Sequence, residues 1–392
     1  MHLSMRMENN MKTYDFLIIG AGSIGTPLAY YLARKGQSVL VLEKHASTGR
    51  GQNRAAIGGI RATHSDPAKI KICTMALEEI RNMHSEHGID IDWIEGGYLF
   101  PVYDTQRERN LKDLLKVQKK FGLNIDWIDA DAVKTLVPGI TESGLRGATF
   151  SPNDGSASPL KTSGAYFKLA TAAGAEFRFY ENVLSMEVEN KKVVRVKTNK
   201  DTYSAGLIIN AAGGDAKEIG KMYGVDLPVF PDSHEAGITE PVKPFFKPMV
   251  VDIRPDSHSH NYYFYQNIEG QVVFCITPYP KAMGKDSDNT SEFLPLVIKR
   301  MLEIYPRLRN LRVRRTWRGL YPMTPDGFPI VGMAHEIENV FHTVGMCGQG
   351  FMLGPGLGKI LSEIFIDNST EYNFILDQLT LYRDFSGEEM LK

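Results

Sequence analysis

Tyr14-Asp15-Phe16-Leu17-Ile18-Ile19-Gly20-Ala21-Gly22-Ser23-Ile24-Gly25 is the stretch whose reading decides the fold. Its first six residues form an apolar run of strand length, rich in β-branched and aromatic side chains. A helical stretch follows the glycines and runs to Lys35, where Gly36 stops it, and a second strand over residues 38–42 ends in Glu43. Each glycine has a physical task. Gly20 permits a tight turn, Gly22 lets the backbone approach a pyrophosphate, and Gly25 lets helix and strand pack closely. The helix start beyond Ser23 and Ile24 offers free N–H groups and the positive end of its dipole to phosphates. Glu43, about twenty residues on and followed by Lys44, is placed to accept hydrogen bonds from an adenosine ribose. Pro27 removes one helix N–H about a turn in, at small cost. A lone glycine motif is weak evidence. With strand, helix and acid in place around it, this one predicts a bound dinucleotide, and an acid at residue 43 disfavours a 2′-phosphate and hence NADP.

The wider composition lies in the ordinary globular range and rules out a wholly disordered or fibrous chain. The chain has 392 residues, with 45 Lys+Arg against 46 Asp+Glu, 43% hydrophobic and 23% charged residues. Such a length predicts roughly two domains, each able to bury a core. A near-zero charge of mixed sign offers no reason to expect nucleic acid or an anionic membrane as partner. Three widely spaced cysteines, Cys73, Cys275 and Cys347, make neither a disulfide framework nor a metal knuckle, so a reduced, cytoplasmic setting is expected. Residues 16–33 carry no charge, yet Gly20, Gly22, Gly25 and Pro27 interrupt them, and Glu8 and Asp15 precede them where a signal peptide would place positive charge. No membrane span is therefore expected. Residues 1–10, with Met1, Met5 and Met7, read as a loose leader.

Further along, Asp66-Pro67 opens a helix in cap-then-proline manner that runs to Gly88. His84 and His87 lie at its polar end and read as solvated, and no metal site is expected. Thr105 begins a lysine-rich helix, and Asp154-Gly155 leads through Pro159 into a helix over residues 160–173. Strand patterns occupy residues 176–180, 184–188 and 193–198, with a turn at Asn190, and residues 207–212 form a buried strand ending in Gly213-Gly214. Dense prolines between residues 228 and 255 suggest an edge-like pattern and entry into another domain. Residues 262–265 and 272–276 flank Gly270 as a hairpin, preceded by His258 and His260, which read as loop residues. Near the C-terminus, a strand over residues 339–344 meets Gly345, Gly348, Gly350, Gly354 and Gly356, after which a helix is read from residue 357 to about 366. So many glycines mean close backbone approach. They fit either a packing turn or a second helix start aimed at the pyrimidine side of a flavin, where a positive helix end stabilises the reduced ring. Pairing with the N-terminal fingerprint favours the flavin.

Together these motifs resemble the D-amino-acid-oxidase-like flavoproteins. The match rests on Gly20-x-Gly22-x-x-Gly25 with Glu43, Asp154-Gly155 with Pro159, Ala211-Ala212-Gly213-Gly214, Thr324-Pro325-Asp326-Gly327-Phe328-Pro329, and Gly348-Gln349-Gly350-Phe351-Met352. Within that family the pattern is similar to the β-subunit type of sarcosine oxidase and of L-proline dehydrogenase, which carry Met at the position of Met352. The resemblance implies FAD and an α/β (α+β) fold, in which a Rossmann-like FAD-binding domain is interleaved with a second domain on a mostly antiparallel sheet. The FAD domain would take residues 12–93, 147–216 and 324–392, and the substrate or cap domain residues 94–146 and 217–323. It further implies that Asn53, Arg54 and Ala55 pass beneath the flavin, that Val183 meets the adenine, and that Ala211, Gly213, Gly348, Gly350, Phe351 and Met352 complete the cofactor site. Arg61, in Gly58-Gly59-Ile60-Arg61, matches the arginine that holds the substrate carboxylate, for which a bidentate guanidinium is suited. Tyr263, Tyr321 and Met352 complete the implied substrate side. The cysteine that tethers FAD in monomeric sarcosine oxidases aligns with Gly319, so non-covalent FAD is implied.

The expected activity is oxidation of the C–N bond of a small amino acid, often a secondary amine such as sarcosine or proline, by hydride transfer to flavin N5. Two alternatives remain. One is a 2-hydroxy-acid or glycerol-3-phosphate type dehydrogenase, which needs a base such as His342 or His335. The other is an FAD-carrying subunit of a hetero-oligomer that passes electrons to partner chains. The electron acceptor, oxygen or a redox partner, is left open.

Overall fold

A computed structural model describes residues 11–387, so the leader reading for residues 1–10 lies outside the described residues. The opening stretch folds as its pattern predicts, with strand Lys12–Ile19, helix Gly25–Arg34 and strand Val39–Glu43. Lys12–Ile19 lies between Val39–Glu43 and Thr202–Asn210, parallel to both. Parallel pairing continues outward to Glu176–Phe179 on one side and to Val340–Val344 on the other, with Ile330–Met333 antiparallel at that edge. Residues 16–19 and 39–42, at the centre of this sheet, are buried on both faces, which explains their unbroken apolar runs. Val183–Glu189 and Lys192–Thr198 hang from Thr202–Asn210 as an antiparallel extension, turning at Asn190 with φ 48°.

One face of this sheet is covered by helices Gly25–Arg34, Pro67–His87, Pro159–Ala172 and Gly350–Asp367. The second of these starts as expected, since the Asp66 carboxylate accepts from Lys69 N at 2.9 Å and Gly88 closes the helix at φ 65°. The last helix differs from its expected start. It begins at Gly350, not residue 357, and carries Pro355 within it. Gly354 and Gly356 are therefore helix-face residues. A Cβ on Gly354 would stand 1.8 Å from the Ser23 carbonyl oxygen, and one on Gly356 would stand 2.0 Å from that of Ile72. The glycines let this helix press against two neighbours, and the turn itself ends at Gly348.

A second sheet of eight strands runs in the order Val313–Met323, Phe230–Pro241, Gln271–Pro278, Ser259–Gln266, Met249–Asp252, Tyr98–Val102, Gly147–Ser151, Asp126–Asp129. It is antiparallel except between Met249–Asp252 and Tyr98–Val102. Phe230–Pro241 is one strand in from the edge, not an edge strand. Its prolines sit at the ends, leaving residues 232–240 to pair between neighbours. His260 likewise lies inside strand Ser259–Gln266. Gly147–Ser151, grouped above with the first domain, pairs in this second sheet. Conversely, Ile219, Tyr223, Val225, Leu227 and Val229, grouped with the second, bury their side chains against the first sheet. Among the described residues no helix is long and apolar enough to cross a membrane, and no cluster of His, Cys, Asp and Glu could hold a metal ion.

Candidate functional site

The two glycine-rich helix starts, more than three hundred residues apart in sequence, meet. A Cβ on Gly350 would lie 3.1 Å from Ser23 Oγ. Both starts open on one cavity of about 450 Å³, which also runs between the two sheets. At this end Gly20 holds φ 110°, and a Cβ there would strike the Ala211 carbonyl oxygen at 2.5 Å, so only glycine makes the turn. Gly22 has nothing within 4 Å of an added Cβ, which leaves its backbone open to the cavity. Glu43 is buried, with one carboxylate oxygen accepting from Ala21 N at 2.9 Å and the other from His45 N at 2.8 Å. Those bonds orient the carboxylate and leave each oxygen a lone pair for a diol. Lys44 on the rim is ion-paired with Asp215, which also takes Lys285 at 2.8 Å.

The opposite end is walled by the second sheet. Tyr263 and Tyr321 share a hydroxyl hydrogen bond of 2.9 Å. The imidazole of His234 stacks on the Tyr321 ring, and its Nε2 lies 3.2 Å from the Asp232 carboxylate. Burial pushes the Tyr263 and Tyr321 hydroxyls above their usual range and the Cys275 thiol up to about 12, so all three are neutral here. Burial by itself would raise Asp232, but the hydrogen bond and charge of His234 bring it below the ordinary carboxylate range. Tyr98, Met249 and Ala236 complete a wall that is largely aromatic and apolar.

Most of the residues expected from the sequence line this cavity: Gly20, Gly22, Ser23, Ile24, Glu43, Lys44, Asn53, Ala55, Val183, Ala211, Gly213, Tyr263, Tyr321, Gly348, Gly350, Phe351 and Met352. Three stay outside its wall. Gly25 packs instead, since a Cβ there would stand 2.0 Å from the Gly20 carbonyl oxygen. Arg54 is exposed, and Gln52, two residues earlier, faces the cavity in its place. Arg61 is buried behind the wall, donating to the Thr63 carbonyl with its guanidinium 5.9 Å from the Phe100 ring centroid. Burial lowers its proton affinity, while Tyr98, Cys73 and Asp154 nearby act in the opposite sense. Nor do the two histidines weighed as bases reach the cavity. His342 is buried against Tyr223, and burial pulls it down to about 4, while His335 stacks on Tyr382. His234, which does line this wall, and its partner Asp232 sit in the proline-dense segment that carried no recognisable motif. Their only sequence signal was alternation, two positions apart on the same face of a strand.

A glycine cradle, two converging helix starts, an oriented acid and a long cavity define a dinucleotide-binding flavoenzyme scaffold, and the residues present fit that group. The chain belongs to the FAD dependent oxidoreductase (DAO) family, whose model matches residues 15–364, and its cofactor is FAD. It is similar to the mitochondrial sarcosine dehydrogenase of Homo sapiens, with 25% identity over 376 residues, covering 92% of this chain and 40% of that protein. This chain thus spans well under half of that relative. Glycine oxidase from Bacillus licheniformis is 25% identical, covering 93% of this chain and 96% of its own. Among solved structures, L-proline dehydrogenase from P. horikoshii superposes with a TM-score of 0.89 at 30% identity, covering 95% of this chain and 98% of that one.

Proposed function

We propose that this protein oxidises the C–N bond of a small amino acid, with a secondary amine such as proline or sarcosine as the preferred class, using non-covalently held FAD. The observation that carries the reading is the meeting of both helix starts at one cavity whose far end is a pocket of Tyr98, Tyr263, Tyr321 and His234. When bound, FAD supplies the acceptor for a hydride from the carbon beside the amine. The chain's own residues do the rest. The amine must present a lone pair, so its ammonium proton has to leave, and His234, held by Asp232, is the group at the wall able to take it. Tyr263, neutral and bonded to Tyr321, offers a ring that suits an alkylated ammonium before that proton departs. Arg61 would hold the carboxylate after turning from the Thr63 carbonyl toward the pocket. Non-covalent FAD fits Gly319, where a Cβ would come within 2.4 Å of Ala55 Cβ.

Two domains, the FAD-binding one built on the parallel sheet and the cap on the antiparallel one, would then enclose the reaction. The His234–Asp232 pair equally suits a hydroxyl proton, which keeps 2-hydroxy-acid oxidation as a second reading. Anaerobic mixing of the purified holoprotein with proline, sarcosine, glycine, D-amino acids and lactate tests both. Bleaching of the flavin band by secondary amino acids without added partner is expected. Bleaching by lactate alone would replace the reading with the second one, and bleaching only in the presence of another chain would make this an electron-passing subunit.

A further inference from the structure

Residues 304–325 contain six arginines and no carboxylate or lysine, in a chain whose net charge is −1. The asymmetry persists in three dimensions. Arg318 pairs with Asp286 at 3.1 Å, and Arg307 donates to the Pro138 carbonyl oxygen. Arg309, Arg312, Arg314 and Arg315 are exposed, and among the described residues none has a carboxylate within ion-pair distance. Arg312, Arg314 and Arg315 lie on or beside Val313–Met323, which pairs with Phe230–Pro241 alone and is therefore the edge of the second sheet. That strand runs on into the cavity wall at Gly319, Leu320 and Tyr321, about 13 Å from Arg315 to Gly319 at strand rise. Between them Trp317, under the Arg315 guanidinium at 5.1 Å, donates its indole N–H to the carbonyl of cavity-lining Ala55 at 2.9 Å.

We propose that this arginine stripe is the docking surface of an acidic protein that accepts the enzyme's electrons. The proposal rests on the oxidoreductase reading. The two electrons removed from substrate leave singly to two successive acceptor molecules, and the proton of the transferred hydride passes to water. Clustered, uncompensated charge beside a site steers an oppositely charged partner to it and sets its on-rate. Single-stranded nucleic acid is disfavoured because such surfaces interleave cations with open aromatic platforms, whereas Trp317 is covered and its N–H is used. A membrane is disfavoured because no large exposed hydrophobic lies between residues 284 and 332 among the described residues. Charges on an edge strand also discourage strand-to-strand aggregation, which needs no partner at all.

The test follows reoxidation of dithionite-reduced holoprotein, so that it stands apart from the choice of substrate. The probes are an acidic cytochrome of the b type and basic cytochrome c. Expected are faster reduction of the acidic probe, a steep fall of that rate with added salt, and a loss of about tenfold or more in the Arg312→Glu/Arg314→Glu double variant at low salt. Reoxidation by a small neutral dye and the melting temperature should be unchanged in that variant, which excludes misfolding. Equal rates in variant and wild type would overturn the proposal. So would binding of a fluorescent single-stranded RNA or of anionic vesicles that the double variant loses while cytochrome rates stay the same. Failure of every amino acid to reduce the flavin, with the acidic probe still preferred, would sink the substrate reading and leave the docking surface standing.

Discussion

The imidazole of His234 lies flat on the phenol of Tyr321, ring centroids 3.8 Å apart at 14°, while its Nε2 stands 3.2 Å from the Asp232 carboxylate. One residue is thus oriented by a ring on its face and a charge at its edge, and its ring forms part of the cavity wall. Orientation of this kind sets which nitrogen carries the proton and how readily the ring accepts one.

Asp232→Asn should therefore slow anaerobic flavin reduction by about tenfold to a hundredfold. Stopped-flow measurement of flavin reduction reads the effect, and an unchanged rate would remove the Asp232–His234 pair from the proton path.

Glu43→Gln keeps the shape but loses the charge that orders the Ala21 and His45 amides. FAD affinity should fall by about tenfold, since charge-assisted bonds are roughly twice as strong as neutral ones. Fluorescence titration of the apoprotein with FAD measures it. NADP should not bind to either form.

Gly354→Ala places a methyl 1.8 Å from the Ser23 carbonyl oxygen, a backbone atom that cannot swing aside. The two helix starts must then part. A stability loss of about 3 kcal/mol or more, beyond ordinary overpacking, is expected together with loss of bound FAD. Gly22→Ala, where no atom lies within 4 Å, should leave apoprotein melting unchanged and affect FAD binding alone.

Asp326 is buried against Arg383, which donates to both its oxygens at 2.8 and 3.0 Å. Burial would raise the carboxyl, but the Arg383 hydrogen bonds and charge outweigh it and hold Asp326 below the usual range. A depressed folded-state value means the stabilisation is present above the unfolded value of about 3.9 and is lost as pH falls through the folded one. Arg383→Met should cost about 3 kcal/mol at pH 7 by leaving a buried carboxylate unpaired, with the gap to wild type closing below about pH 3.9. Denaturant melts at pH 7 and in that acid range test this.

Arg61→Lys keeps the charge and loses the planar fork. An increase of about tenfold in the apparent KM for a carboxylate substrate is expected, with FAD content unchanged. An unchanged KM would show that the guanidinium never leaves its place beside the Thr63 carbonyl.

Much of this molecule was legible in its order of residues, because the relevant physics is local. A strand, a glycine turn, a helix and an acid at the next strand end are each decided by neighbours a few positions away, so the cradle of Gly20, Gly22 and Glu43 could be read directly. The same holds for the Asp66 cap and the turn at Asn190. The start of the last helix was misplaced because glycine signals both a turn and a close helix contact, and only the facing Ser23 and Ile72 backbones distinguish them. His234 and Asp232 carried no motif, and the place of His234 at the wall depends on how an antiparallel sheet lies over a parallel one. Arg61 stood in a recognisable motif, yet its burial behind Tyr98 follows from packing alone. What the chain determined unaided is the set of local elements and their chemistry. What tertiary structure decided is which of them meet, since convergence of Ser23 with Gly350 depends on apolar burial summed over the whole core rather than on any run of adjacent residues.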